Sequence, residues 1–534
     1  MTVNIEIATG QDTALPATKE KSAVAAARTI ARGASISFAG IVVSQIIRFF
    51  SSVLIARYLG PNAFGLFHLA KMVMMTSIRI SIAGWLESAA RFIAFYAGRE
   101  QKSRVESTLA LTFRVVGTLS LTLGFALFLL AGIIAKEIFQ KPELEGILRL
   151  VAVAIPVGAL GEILTAQIVG FRALRYKLYA RDLLGSLGLI SLLVILSRLD
   201  LGVTGMILAY LGSFVITSAV AWALLRRLAR YKGYILSRST QIATTVRDDI
   251  KKFAWPLILT KLLMLVRGNF SSLWLGYALT SDQVGLYGVV TVMGPVLTLI
   301  PSSFSDILLP SLSRSMATGD LHTSRSIYQT VRRWYIKLSV PMLLGIIAFP
   351  NVVIEVVYGP QYAPSAVVLR LFSLAYLIPC LTGPWFMSLL SSGRTKSIMI
   401  TQITGASLTI GLNLLLVPSY GIVGAGIAFA VAVLVPNIIG VSIIYPTLRF
   451  QVANRGMFKS IGLDVGLLLL LYSLYITLFA RSIWPMVPAL AFYWILAVIG
   501  GFFLDGLNAQ DRAVLSSFLA KVGLQDLAIQ IAKG

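Results

Sequence analysis

The chain of 534 residues carries a formal net charge of +24 at pH 7, yet only 13% of its residues are charged and 57% are hydrophobic. Soluble domains contain about 25% charged residues, so this composition excludes an ordinary soluble protein. Because the Lys and Arg residues cluster in short segments between apolar stretches, the positive charge does not indicate a nucleic-acid partner.

Repeated apolar stretches of roughly 20 residues predict an all-α polytopic membrane protein with about 14 transmembrane helices. A cytoplasmic N-terminal segment, 1–32, precedes two sets of six predicted spans, and two extra spans follow. In chain order, the predicted spans are 33–56, 64–86, 110–134, 147–170, 179–197, 202–225, 254–277, 285–309, 335–357, 365–389, 397–417, 421–445, 460–480 and 483–504.

These spans divide the chain into an N-lobe, 33–225, a C-lobe, 254–445, and two C-terminal spans within 460–504. Between the lobes lies the bridge 226–253, RRLARYKGYILSRSTQIATTVRDDIKKF, which has eight Lys and Arg residues and cannot cross a bilayer. We expect the bridge to lie on the cytoplasmic face. The tail 505–534 is amphipathic and is predicted to lie on the same surface.

The distribution of Lys and Arg residues predicts the orientation of the chain. With the N-terminus inside, only five of the 46 fall in predicted outer loops, namely Arg57, Lys136, Lys141, Arg198 and Arg481. Cytoplasmic loops normally carry the excess of these residues. The sequence therefore predicts a protein of the cytoplasmic (inner) membrane with both termini in the cytoplasm.

The two lobes are predicted to be repeats of each other, because four landmarks recur at an offset near 220 residues. The recurring pairs are Gly65-Leu66-Phe67 with Gly285-Leu286-Tyr287, Pro156 with Pro379, Arg172 with Arg394, and 202–205 with 421–424. Since six is an even number of spans, both lobes would enter the membrane in the same sense, as a parallel repeat. Proteins built this way place a substrate cavity between the repeats.

Three stretches carry a resemblance to a known family. The turns 56–67, ARYLGPNAFGLF, and 357–366, VYGPQYAPSA, are similar to outer turns of polysaccharide flippases of the Wzx type. The stretch 415–428, LLVPSYGIVGAGIA, resembles the turn and the small-residue run that join spans eleven and twelve of that family. Within it, Gly421 would permit a positive backbone angle, and the small residues after it are expected to pack helices together.

This resemblance implies the MOP superfamily, with two six-helix lobes that are often followed by two further helices. The implied function is a flippase, not an enzyme, that moves polyprenyl-pyrophosphate-linked oligosaccharide from the inner to the outer leaflet by alternating access. It would serve the export of cell-surface polysaccharide or glycan. Its expected partners are the anionic lipid-linked oligosaccharide, membrane lipid and a glycan polymerase or other synthesis machinery, and we expect a monomer.

Ionisable side chains at membrane depth cost roughly 2.5–3.5 kcal/mol each on insertion scales and usually face a cavity or a partner. In this chain the cations outnumber the carboxylates, and Arg and Lys side chains suit a diphosphate. Arg48 and Arg267 lie close to the repeat offset, so we expect them to face each other across the cavity. The other predicted members of the cationic cavity are Lys71, Lys261, Arg79 and Arg370. Each has a plainer interpretation as a snorkelling side chain or an internal ion pair.

Carboxylates at membrane depth give a second set of candidates. Glu162 and Asp306 would balance the cations or bind a coupling ion, Na+ or H+, and no other cofactor is expected. Asp464, in the thirteenth predicted span, is expected to border a groove for the lipid tail. The single Cys380 and two widely separated His residues do not indicate a metal site.

Three other functions are alternatives to the flippase. An ion-coupled multidrug exporter of the MATE-like type would be expected to line its cavity with acidic residues, whereas this chain has a cationic surplus. A membrane enzyme acting on a lipid-linked sugar would need a long catalytic loop, but the predicted outer loops are short. A non-transporting scaffold for glycan synthesis is equally compatible with the predicted helices.

Overall fold

The computed structural model describes the backbone of residues 17–235, 243–451, 455–477 and 483–505, and no side chain within 17–42 or at positions 306, 307, 455 and 505. Every regular element in these ranges is helical, which confirms the predicted fold class. In the first half the α-helices are α1 (Ala17–Ile82), α2 (Trp85–Gly98), α3 (Lys102–Ile133), α4 (Leu144–Gly170), α5 (Leu174–Lys177), α6 (Ser186–Ser197) and α7 (Gly202–Tyr231). Two π-helical turns, Ile134–Ile138 and Leu178–Gly185, extend α3 and join α5 to α6.

The second half continues the same pattern. Its α-helices are α8 (Thr244–Ala278), α9 (Ser281–Leu297), α10 (Leu299–Ala317), α11 (Leu321–Ala348), α12 (Pro350–Tyr358), α13 (Ala366–Thr382), α14 (Trp385–Ser391), α15 (Thr395–Leu448), α16 (Arg455–Thr477) and α17 (Met486–Asp505). A 3-10 turn, Pro360–Ser365, leads into α13. The predicted N-terminal segment up to residue 16 and the amphipathic tail from 506 lie outside the described residues.

Two glycines divide the longest helices. Gly60 in α1 has φ 72° and ψ 172°, and Gly421 in α15 has φ 55° and ψ −134°. Positive φ is readily adopted by glycine but strained for other residues, which confirms the backbone angle predicted at Gly421. Because α15 has 54 residues, an unbroken helix would be roughly 80 Å long, far more than a bilayer core needs.

The described helices identify an integral membrane protein. Nine of them are long and apolar enough to cross a bilayer, or up to eleven when two bent pairs are each counted as one span. That count treats the helical runs Val43–Gly98 and Thr395–Leu448 as single spans, and it omits α8, whose apolar run is interrupted by Lys261 and Arg267. The figure of fourteen therefore stays a prediction.

The two lobes meet where α1 crosses α9, at positions related by the repeat. A methyl group at Gly65 would overlap the carbonyl oxygen of Ser281, and one at Gly285 would overlap the carbonyl oxygen of Pro61. Beside this crossing, the Asn62 amide donates a hydrogen bond to the Asp282 carboxylate at 3.2 Å. Three pairs of residues at this crossing are each 220 positions apart: Gly65 with Gly285, Pro61 with Ser281, and Asn62 with Asp282. The predicted repeat is therefore confirmed at the lobe interface.

Further contacts between the lobes lie at the same end of the molecule, which contains Gly60 and Leu279 and is called the closed end below. Lys141 Nζ donates to the carbonyl oxygens of Gly276 and Leu279 at 2.7 and 2.9 Å. Tyr362 Oη donates to Ala56 O at 2.8 Å. Burial lowers the pKa of the Lys141 ammonium group. In the predicted orientation, the closed end faces the outside.

Arg57 adds a contact of the same kind. Its guanidinium donates to the carbonyl oxygen of Val357 at 2.8 Å and also to that of Val356, at the end of α12. The closed end is thus fastened by side-chain donors of the N-lobe that bind main-chain carbonyls of the C-lobe, and by one donor, Tyr362, in the reverse direction.

The bridge between the lobes packs against the N-lobe at the opposite end. Its residues 236–242 lie outside the described residues, and α8 begins at Thr244. Val246 and Ile250 are fully buried, and the Tyr96 hydroxyl of α2 donates to the Asp249 carboxylate at 3.0 Å. The first turns of α8 are therefore docked onto α2 rather than free in solvent.

The glycine crossing generates a stability prediction. We expect Gly65→Ala or Gly285→Ala to destabilise the protein by about 1–3 kcal/mol, because overpacking forces the helix backbones apart. Thermal unfolding in detergent micelles measures this loss. Gly98→Ala is the matched control, since no atom lies within 4 Å of a methyl group added there. Equal midpoints for all three variants and the wild type would contradict the proposed contact.

Candidate functional site

A cavity of about 800 Å³ lies between the lobes. Its walls come from α1, α2, α4, the π-helical turn Leu178–Gly185, α6 and α7 on the N-lobe side, and from α8, α9 and the start of α10 on the C-lobe side. Two polar contacts join the walls: His68 Nε2 lies 3.3 Å from Ser272 Oγ, and the Asn269 amide donates to Thr76 Oγ1 at 2.8 Å. The contact of His68 with Ser272 is the nearer of the two to the closed end and is called the roof of the cavity.

A second cavity of about 280 Å³ extends the first away from the closed end, because Arg79, Ile82 and Leu86 line both. Its far wall is α8 around Lys261. Lys261 Nζ makes an ion pair of 2.8 Å with Glu87 Oε1 of α2, and both side chains are more than a third exposed. The two spaces together are called the interlobe cavity below.

Arg48 lies in the cavity wall, as predicted from the sequence. Its guanidinium lies 3.7 Å from Asp182 Oδ1 and donates to Ser44 Oγ at 2.8 Å. The Arg48 side chain is 44% exposed, whereas that of Asp182 is only 8% exposed. The buried carboxylate of Asp182 therefore pairs with Arg48 on the side away from the cavity, and part of the Arg48 side chain stays exposed to the cavity.

Arg181 forms a second ion pair beside the first. Its Nη2 lies 3.0 Å from Glu162 Oε1, with Arg181 34% and Glu162 24% exposed. Arg181 and Asp182 are adjacent residues of the π-helical turn Leu178–Gly185, and such turns occur frequently at functional sites. Arg48, Glu162, Arg181 and Asp182 are called the charged cluster below.

Neither Arg181 nor Asp182 was among the residues predicted from the sequence. Both fall inside the fifth predicted span, 179–197, so their charge at membrane depth is the signal that could have identified them. Glu162, predicted as a charge-balancing or ion-binding group, is placed in the cavity wall by α4. It forms an ion pair with Arg181, and both predicted roles stay predictions.

Lys71 and Arg79 also lie in the interlobe cavity. Lys71 Nζ lies 5.2 Å from the ring centroid of Tyr210 and 5.8 Å from that of Phe67, in cation–π geometry. Arg79 is exposed and lines both parts of the cavity. With Lys261 and Arg48, four of the six predicted cations are therefore brought together in one space.

Contrary to expectation, Arg267 and Arg48 do not face each other. Arg267 Nη1 donates to Gln402 Oε1 at 2.6 Å, and its Nη2 donates to Ala432 O at 3.3 Å, both on α15. A methyl group at Gly405 would lie 3.1 Å from Arg267 Nε, so the guanidinium is packed within the C-lobe. The next residue along α8, Gly268, lines the cavity instead.

The remaining predicted residues lie elsewhere. Arg370 Nε donates to Ile347 O of α11 at 3.0 Å, and Arg370 is not among the residues that line either described cavity. Asp306 is on α10, but its side chain lies outside the described residues, so its role stays a prediction. Asp464 is buried, with 2% exposure, and does not border an open groove.

The charges of the main cavity are predominantly positive. Its lining contains Arg48, Lys71, Arg79 and Arg181 but one carboxylate, Glu162, and Asp182 lies behind Arg48. A concave wall of one charge sign between low-dielectric helices focuses the field and attracts ions of opposite charge. The lining thus carries the cationic surplus predicted from the sequence.

Comparisons with known proteins agree with this geometry. The model of the family described as "Polysaccharide biosynthesis protein" matches residues 98–367. The chain is similar to stage V sporulation protein B of Bacillus subtilis, with 21% identity over 76% of this chain and 81% of that protein. It is also similar to the probable low-salt glycan biosynthesis flippase Agl15 of Haloferax volcanii, with 20% identity over 34% of this chain and 39% of that protein.

Solved structures show the same fold at low sequence identity. The lipid II flippase MurJ in an inward closed conformation matches with a TM-score of 0.65 and 14% identity, over 87% of this chain and 97% of that chain. An inward-facing MATE family transporter of the MOP superfamily matches with a TM-score of 0.64 and 16% identity, over 78% and 99%. Since the family match spans just over half of its residues, the chain belongs to the polysaccharide biosynthesis protein family.

Proposed function

We propose that this protein moves an anionic, lipid-linked oligosaccharide from the inner to the outer leaflet of the cytoplasmic membrane, for polysaccharide or glycan export. The observation that carries the proposal is the interlobe cavity, whose main part is lined by four cations and one carboxylate. The described functions of two similar proteins support it, because Agl15 is a probable glycan biosynthesis flippase and MurJ is a lipid II flippase.

The charged cluster suits a diphosphate group. Arg48 and Arg181 keep 44% and 34% of their side chains exposed, while their carboxylate partners Asp182 and Glu162 are less exposed. Guanidinium groups bind phosphate oxygens through two parallel hydrogen bonds. A diphosphate that enters the cavity would therefore meet both guanidinium groups before it meets either carboxylate.

The size and borders of the cavity suit the rest of such a substrate. A volume of about 800 Å³ lies in the range of small-molecule sites, so it holds a diphosphate and the sugars next to it. Ile46 and Phe50, which line the cavity on α1, are 48% and 57% exposed. In this proposal the polyprenyl tail stays in the bilayer beside this apolar edge.

The proposed movement is alternating access. The lobes are fastened at the closed end, and the interlobe cavity extends from its roof toward the bridge. If both termini are cytoplasmic, this conformation would admit substrate from the inner leaflet. Rocking the lobes would separate Gly65 from Gly285 and bring the bridge end of the N-lobe closer to α8.

The same proposal assigns roles to the other components. Glu162 balances Arg181 in the empty state and is displaced when the diphosphate binds, and an H+ or Na+ gradient or the membrane potential supplies the energy. The protein acts as a monomer and receives its substrate from the glycan synthesis machinery. The reaction is transport, so the chain is not expected to break or form covalent bonds.

Replacing the exposed cations of the charged cluster should abolish transport. We expect Arg48→Gln and Arg181→Gln each to lower the flipping rate about 10-fold or more, since a charge-assisted hydrogen bond contributes about 1.5–3 kcal/mol. The double variant should approach the protein-free rate. The measurement is the appearance of a fluorescent polyprenyl-pyrophosphate oligosaccharide in the far leaflet of liposomes that contain the purified protein.

Arg370→Gln is the matched control, because it removes an exposed guanidinium of the C-lobe away from the described cavities. Its flipping rate should match that of the wild type. Equal loss in Arg370→Gln and in the cluster variants would argue against the site. Transport of organic cations by the wild type, without transport of the lipid-linked glycan, would replace the proposal with the multidrug exporter.

Removing the competing carboxylate should have the opposite effect on binding. We expect Glu162→Gln to bind inorganic pyrophosphate about 5-fold more tightly, because Arg181 loses an ion pair worth roughly 1 kcal/mol. Calorimetric titration of the detergent-solubilised protein measures the dissociation constant. Glu145→Gln, which breaks the ion pair with Arg149 near the closed end, should leave this constant unchanged. Weaker binding by Glu162→Gln would show that the carboxylate is not a competitor.

A further inference from the structure

The two C-terminal helices, α16 and α17, enclose a buried acid that the proposed transport cycle does not use. Asp464 of α16 is 2% exposed, and Ser460, one helical turn before it, is also 2% exposed. A methyl group at Gly501 of α17 would lie 3.7 Å from both Ser460 Oγ and Lys337 Cγ. The face of α16 that carries Asp464 therefore packs against α17 and α11.

The polar groups on this face lack partners in the described part of the chain. No ion pair or hydrogen bond is found there for the Asp464 carboxyl, and the buried hydroxyls of Ser460 and Tyr493 also have no hydrogen-bond partner. Tyr493 of α17 is 4% exposed and belongs to an apolar cluster that packs against Leu467 and Leu468 of α16. Three polar groups are thus buried together beside an apolar cluster that includes Leu471 and Ala497.

An ionised carboxylate in this position would be costly, because Asp464 is buried and no ion pair among the described residues compensates its charge. Binding a proton from the aqueous phase converts it into a neutral acid that can both donate and accept hydrogen bonds. The hydroxyls of Ser460 and Tyr493 are suited to accept and donate in return. The combination of burial, one carboxylate and unpaired hydroxyls fits a proton better than a diphosphate or a multivalent metal ion.

The charged groups described on the elements around Asp464 make other contacts or are exposed. On α11, Lys337 is buried with Nζ 4.6 Å from the ring centroid of Phe502, and it makes no ion pair with Asp464. On α12 the charged residue is Glu355, which is partly exposed. On α16 itself Lys459 is exposed. Two further cations of α11 have other contacts: Arg332 Nη2 donates to Met457 Sδ of α16, and Arg333 Nη2 donates to Thr330 Oγ1. Among the described residues, none of these groups forms an ion pair with the Asp464 carboxylate.

The position of this acid connects it with the closed end. Val352 of α12 belongs to the same apolar cluster as Tyr493 and Ala497 of α17. The end of α12 supplies Val356 O and Val357 O, which accept from Arg57 of the N-lobe. The C-terminal helices therefore support the segment that fastens the lobes together.

We propose that the Asp464 carboxyl is an exchangeable proton-binding site, and that its occupancy controls how firmly α16 and α17 hold α12 at the closed end. Deprotonation places a charge inside the contact and loosens it. The existence of the proton site is independent of the substrate, whereas its use to couple a proton gradient to transport rests on the proposed function.

Infrared difference spectroscopy of the full chain in lipid nanodiscs tests the site directly. We expect the C=O band of a protonated carboxyl whose intensity changes with pH. The band should be absent in Asp464→Asn, shifted in Asp464→Glu and unchanged in the control Glu355→Gln. If Asp464→Asn does not fold, the shift in Asp464→Glu still decides the assignment.

A band that survives Asp464→Asn unchanged, or one that responds to Na+ but not to pH, would overturn the proton site. Liposomes with an imposed pH gradient test its use: flipping by Asp464→Asn should continue but no longer respond to the gradient. An unchanged response would overturn the coupling. If the wild type flips no lipid-linked glycan, the proposed function fails, but the infrared result still decides whether Asp464 binds a proton.

Discussion

The close approach of α1 and α9 at Gly65 and Gly285 is the constraint on which the rest of the architecture depends. Each glycine faces a carbonyl oxygen of the other helix at a distance that excludes any side chain, as in the packing of membrane helices through small residues. Because the two positions are equivalent in the repeat, one crossing fixes both lobes about a local two-fold axis. The lobes diverge with distance from the crossing, and the interlobe cavity occupies the space between them.

The charged cluster shows how cations are kept at membrane depth when no ligand is bound. Asp182 and Glu162 lie on the N-lobe side of Arg48 and Arg181, so each guanidinium has a partner and still exposes donors to the cavity. Since both carboxylates are built into the wall, a diphosphate that binds as proposed would exchange one set of ion pairs for another. Its binding and release would then involve smaller electrostatic changes than they would in a wall of unpaired cations.

Which residues lie at membrane depth, and that the two lobes are repeats, could be predicted from the sequence. Both follow from the length of the apolar stretches and from the landmarks that recur along the chain. The direction in which a side chain points around its helix could not. Arg267 is one residue short of the position equivalent to Arg48, and one residue rotates a side chain by about 100° around an α-helix. It therefore points to Gln402 inside the C-lobe. Similarly, the π-helical turn that carries Arg181 breaks the 3.6-residue period on which sequence patterns rest.

The two ends of the lobe interface differ in a way that bears on how the lobes could move. At the closed end, Lys141, Arg57 and Tyr362 donate to main-chain carbonyls whose positions are fixed by helices, so a small rotation breaks these bonds together. At the bridge end, Lys261 and Glu87 meet through long, exposed side chains that can follow a displacement. Opening of the closed end should therefore be an all-or-none event. The packing of the C-terminal helices against α12 would then control this opening, because α12 carries the carbonyl groups from which Arg57 must dissociate.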